Sequence, residues 1–125
     1  MKKILLVLFL ALAALFFYRW LSSRPSVAGS TQDNSAVIIY WGIGCPHCEK
    51  VKDYVKDNQI DKKISIAYKE VYYDQKNQKE LEEVARQCQL DTSGGVGVPL
   101  AFFKSSSVCQ IGDQSIIDQL NSMLK

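Results

Sequence analysis

A chain of 125 residues has room for one domain, and the 47% hydrophobic content suffices for one modest core rather than a disordered chain. The 22% charged residues and net charge of +2 give no compositional basis for nucleic-acid binding. Lysines such as Lys50, Lys52, Lys56, Lys62 and Lys63 are spread along the chain and read as a solvated surface, not a phosphate-binding patch.

The N-terminus sets the expected compartment. Lys2 and Lys3 precede an apolar run from Ile4 to Phe17, continued by Tyr18 and resumed after Arg19 by Trp20 and Leu21. Residues 1–21 therefore read as an N-terminal hydrophobic helix that exports the domain. The apolar run is shorter than the roughly 20 residues that span a bilayer, but Tyr18 and Trp20 suit an interface and Arg19 can snorkel. A single membrane anchor is the first expectation. Ser26-Val27-Ala28 has the small-X-small form of a signal-peptidase site, which leaves secretion or periplasmic release after cleavage as the alternative. Residues 22–35, rich in Ser, Pro, Gly and Asn, read as a flexible linker, and residues 36–125 as the folded domain.

Within the domain, Ala36 to Trp41 is β-branched and aromatic, is followed by Gly42 and Gly44, and predicts a buried strand. A helix is expected at once, with Pro46 in its first turn and Cys48, Val51 and Val55 on one face. Alternation of Ile64, Ile66 and Tyr68 predicts a second strand that runs as far as Tyr72 at most. From about Asn77, Leu81, Val84, Ala85 and Cys88 recur at helical spacing. The glycine-rich loop from Asp91 to Gly97 leads to Pro99 and a third strand, Leu100 to Phe103. After a turn at Ser105 to Ser107 comes a fourth strand, Val108 to Ile111. Asp113 is expected to cap a last helix that carries Ile116, Ile117, Leu120 and Leu124 inward. The expected order is βαβαββα, an α/β domain.

The chemistry concentrates in Trp41-Gly42-Ile43-Gly44-Cys45-Pro46-His47-Cys48, which puts two thiols at a strand-to-helix junction. Cys45 would stand at the helix N-terminus, where unpaired N–H groups and the macrodipole favour a thiolate. Cys48, one turn further in, would be buried and attack a mixed disulfide formed on Cys45.

This layout resembles the thioredoxin superfamily, and Cys-Pro-His-Cys looks like the motif of its DsbA-like disulfide oxidases. The resemblance covers about residues 36–125 and implies a thioredoxin-like fold with a central mixed four-stranded sheet flanked by helices. It also implies that Val98-Pro99 is a cis-proline loop facing the redox pair, so Trp41, Val98 and Pro99 are expected to contact substrate. Pro46 and His47, between the two cysteines, complete the expected site with Cys45, Cys48 and Pro99. His47, the only histidine in the chain, would lower the Cys45 pKa. A thiol pKa of ~4 would stabilise the reduced form at pH 7 by roughly 4 kcal/mol, or about 90 mV of two-electron potential.

The chain departs from the family in two ways. The stretch between the second strand and Pro99 is too short for a helical insert domain, and Ile39 stands where a buried acid usually precedes the first cysteine. Water or another carboxylate, such as Glu49, would then serve Cys48 as proton acceptor.

Cys88 and Cys109 are expected to be either buried small hydrophobes or, in an exported domain, a structural disulfide worth about 3 kcal/mol. The first functional expectation is an enzyme, an extracytoplasmic thiol–disulfide oxidoreductase. It would need no metal and no organic cofactor, and would act as a monomer on cysteine-containing proteins with a membrane or extracytoplasmic redox partner. A thiolate carrier of copper or zinc and a redox-inert interaction domain are the alternatives. Ligand count weighs against the carrier, because zinc prefers four ligands and Pro99 would crowd a metal at the dithiol.

Overall fold

The computed structural model describes residues 12–19 and 33–125. Residues 12–19 are helical and exposed. Most of the expected anchor, the Ser26-Val27-Ala28 site and nearly all of the linker lie outside the described residues. Among the described residues no helix is long and apolar enough to cross a membrane.

In residues 33–125 the elements are β1 (Val37–Trp41), α1 (Pro46–Asp57), a 3-10 turn (Ile60–Lys62), β2 (Ile66–Glu70), α2 (Gln75–Gln87), β3 (Leu100–Phe103), β4 (Val108–Ile111) and α3 (Asp113–Met123). The sheet order is β2-β1-β3-β4. β1 runs parallel to β2, in register Ile39 with Tyr68, and antiparallel to β3, in register Ile39 with Ala101. β3 and β4 are antiparallel, with Phe102 opposite Cys109. This mixed α/β sheet is consistent with a thioredoxin-like fold.

β1 is central and apolar on both faces because helices cover both. Val37 and Ile39 point into a core with Val51 and Val55 of α1, Ala101 and Phe103 of β3, and Ile116 and Leu120 of α3. Ile38 and Tyr40, one residue out of phase, join Leu81, Val84 and Ala85 of α2 with Val71 and Leu100 on the other face. Ile39, six residues before Cys45, is thus committed to the first core.

The second face contains a polar network. The fully buried Tyr40 donates its hydroxyl to Glu80 Oε1 at 2.9 Å, and Lys69 pairs with the same carboxylate. Burial, and then the Glu80 charge, push the Tyr40 hydroxyl above its ordinary pKa. One carboxylate from α2 thereby satisfies polar groups of both β1 and β2.

Several boundaries differ from the sequence expectation. Residues 33–35 already join the domain: Ser35 is buried, its N–H donates to Asp33 Oδ1, and Lys104 Nζ donates to the Asp33 carbonyl. β2 begins at Ile66, because Ile64 closes the preceding 3-10 turn through its N–H to Ile60 O. α2 begins two residues earlier than expected, since Asp74 accepts the N–H groups of Lys76 and Asn77 as its N-cap. Cys88 is the C-cap of α2 and only partly buried, rather than a residue of its buried face. Asp113 is the first residue of α3 instead of its cap; Gly112 holds the cap position with φ 89° and no side-chain bond. Leu124 is exposed, because α3 ends at Met123 and the methionine takes the inward place.

Candidate redox site

The turn between β1 and α1 builds the site. Gly44 has φ 77°, a left-handed conformation that suits glycine, and Cys45 N–H donates back to Gly42 O at 3.3 Å. Cys45 then takes an extended conformation (φ −87°, ψ 110°) as the N-cap of α1, and Pro46 at the helix start forfeits no intrahelical bond. The capping atom is sulfur: Cys45 Sγ accepts the Cys48 N–H at 3.3 Å. A cysteine here has its sulfur among the unpaired donors of the first turn, an environment that favours a thiolate over a thiol.

Cys45 and Cys48 are joined as a disulfide, with Cα atoms 5.3 Å apart. Cys45 retains 8% exposure and Cys48 only 1%, so an approaching nucleophile meets the Cys45 sulfur first. Across from it lies the Val98–Pro99 loop, whose peptide bond is cis. Cys45 Sγ is 3.7 Å from Val98 O. Pro99 is fully buried, while Val98 is partly exposed beside the pair. The same loop is tied to the last helix, because Gly112 N–H donates to Pro99 O at 3.0 Å.

That tie brings α3 against the start of α1. Asp113 Oδ2 lies 3.2 Å from His47 Nδ1 and 3.2 Å from Lys50 Nζ. Hydrogen bonds from His47 first and Lys50 second hold the Asp113 carboxyl down at about 2. The His47 side chain is 62% exposed, so the bond to Asp113 leaves much of the ring open to a partner molecule.

Trp41 is partly buried, and Lys52 Nζ sits 3.0 Å from the centroid of its ring as a cation–π contact. Glu49, the candidate proton acceptor, pairs with Lys52 Nζ at 3.3 Å. The rim of the site has a second tie. The Glu70 carboxylate accepts the N–H groups of Tyr72, Tyr73 and Asp74. Desolvation works to raise its pKa, but those amides and that of Ile43 outweigh it and lower it. The turn after β2 is thereby held beside the Cys45 loop, and the Tyr72 ring occupies the space that a Cβ at Gly42 would need.

Cys88 and Cys109 form a second disulfide, with Cα atoms 6.0 Å apart. It fastens the end of α2 to β4. Sequence reasoning named every member of the dithiol loop but missed Asp113 as the partner of His47, which a separation of 66 positions hides from any local pattern. No family model matches the chain, and no curated protein matches it.

Proposed function

We propose that the chain is a thioredoxin-like thiol–disulfide oxidoreductase that exchanges disulfides with cysteine-containing proteins through Cys45 and Cys48. The observation that carries this reading is the capping geometry. Cys45 Sγ accepts the Cys48 N–H at the start of α1, and its disulfide partner lies buried one turn behind. In the oxidised pair, a client thiolate attacks Cys45 Sγ and displaces Cys48. In the reduced pair, Cys45 attacks a client disulfide and Cys48 resolves the adduct. The cis Val98–Pro99 loop and Trp41 supply the surface beside the reacting sulfur, and Pro46 starts the helix that activates it. The chemistry needs neither a metal nor an organic cofactor.

The apolar segment from Ile4 to Phe17 supports an extracytoplasmic domain held at the membrane by residues 1–21, which acts as a monomer with a redox partner in or outside the membrane. The second disulfide, Cys88–Cys109, fits an oxidising compartment.

The test is exchange with a dithiol peptide and with a disulfide-bonded protein. Cys45→Ser abolishes turnover in both directions, and Cys48→Ser accumulates a client joined to Cys45 that mass spectrometry identifies. Undiminished turnover in Cys45→Ser refutes the assignment.

A further inference from the structure

We infer that Asp113 is a positioning residue for the redox reaction, fixing His47 so that its Nε2 manages the proton of the client thiol. The inference rests on the oxidoreductase reading above and goes beyond it by naming how the proton moves. Three observations carry it.

The first is the hydrogen bond. Asp113 is held ionised down to about pH 2 and so only accepts, which makes His47 Nδ1 the donor at 3.2 Å. In a neutral imidazole with hydrogen on Nδ1, Nε2 bears the lone pair and is a base. The second is the frame. Asp113 follows Gly112, whose N–H is bonded to Pro99 O, so the carboxylate is carried by the turn that also fixes the loop facing Cys45. Gly112, not Asp113, occupies the cap position of α3, and the carboxylate is thereby free to reach α1. The third is the apolar position of Ile39, buried in the core where an acid would have served Cys48, which leaves His47 as the acid–base side chain inside the dithiol motif. Glu49, the other carboxylate near the pair in sequence, is engaged by Lys52. His47 lies between the two cysteines in sequence, and its side chain is 62% exposed and open to a client that approaches Cys45.

A client thiol gives its proton to His47 Nε2 as its sulfur attacks Cys45 Sγ. The Cys45–Cys48 bond breaks with its electron pair going to Cys48 Sγ, which takes up a proton from solvent, and the client is left in a mixed disulfide with Cys45. A second client thiol gives up its proton to solvent and attacks the client sulfur of that bond, the electron pair returns to Cys45 Sγ, which leaves as a thiolate, and the imidazolium releases its proton to solvent. The client leaves oxidised by two electrons, the protein pair is left reduced with Cys45 as thiolate and Cys48 as thiol, and one proton is released to solvent.

The single histidine makes the test unambiguous. Long-range 1H–15N correlation of the oxidised protein, at a pH where the ring is neutral, shows the Nδ1–H tautomer in the wild type. Asp113→Asn moves it to the Nε2–H form, and Asp113→Glu restores Nδ1–H. The rate at which oxidised protein converts a reduced dithiol peptide falls about fivefold in Asp113→Asn, the size expected of a partly exposed charged hydrogen bond, and recovers in Asp113→Glu. In a His47→Gln background, Asp113→Asn has no further effect, because Asp113 acts through the imidazole. An equal loss in both backgrounds, or an Nε2–H wild type, overturns the inference. A wild type that fails to oxidise the peptide, or a Cys45→Ser protein that still does, overturns the oxidoreductase reading instead.

Discussion

The second disulfide offers a quantitative test that is independent of the chemistry at Cys45. Cys88 and Cys109 are 21 positions apart, and their bridge ties the C-cap of α2 to β4, which among the described residues is an edge strand paired with β3. In the chain-entropy description, closing a loop of that length removes unfolded-state entropy equivalent to about 3 kcal/mol at room temperature. For a small domain this corresponds to a fall in Tm of roughly 12–24 °C when the bridge is removed. The perturbation is the double variant Cys88→Ala/Cys109→Ala, which deletes both partly buried sulfurs and leaves no unpaired thiol. Urea and thermal unfolding of the oxidised proteins should show the loss, with a steeper urea dependence in the variant because its unfolded state is less compact. Exchange through Cys45 and Cys48 should persist at temperatures where the variant is folded. A loss below about 1 kcal/mol would refute the loop argument.

Three further expectations follow from the polar contacts. Tyr40→Phe removes a buried hydroxyl bonded to a carboxylate and should cost about 1.5–3 kcal/mol, measured by urea unfolding, since Glu80 loses one of the two partners it has among the described residues and keeps Lys69. At high pH the sign is fixed by raised tyrosine pKa values: Tyr40 is pushed up, and burial followed by the Asp61 charge pushes Tyr68 up to about 12. Their contribution to stability is complete below pH ~10 and is lost as pH rises toward 12, so a Tyr40→Phe/Tyr68→Phe protein should show a flatter alkaline limb than the wild type. At low pH, Asp113 has a depressed pKa. Its contribution is complete above pH ~4 and disappears as pH falls through about 2, so wild type and Asp113→Asn should differ in stability above that window and converge below it.

Much of the architecture was legible because β1 and the helices carry strong local patterns. Ala36 to Trp41 read as a buried strand, and Pro46, Cys48, Val51 and Val55 marked both the start and the inner face of α1. The two glycines and the cysteine spacing then located the dithiol at the junction. Boundaries failed where a single side chain decided them. Asp74 extended α2 backward by capping it, and Gly112 displaced Asp113 from the cap because a positive φ there favours glycine. The contacts that surround the pair were illegible for a different reason. The His47–Asp113 bond, the Cys45 approach to Val98 and the Tyr40–Glu80 bond each join residues distant in sequence, and only the folded sheet brings them together.

The proposed exchange requires that the start of α1 make Cys45 reactive while Cys48 waits behind it. The most direct measurement is a pulse of iodoacetamide on protein whose Cys45–Cys48 pair is reduced, at about pH 6, with each cysteine resolved by mass spectrometry. The predicted result is an adduct on Cys45 that forms at least about tenfold faster than on Cys48 or on the same cysteines in urea. Equal rates at Cys45, at Cys48 and in the unfolded chain would contradict it.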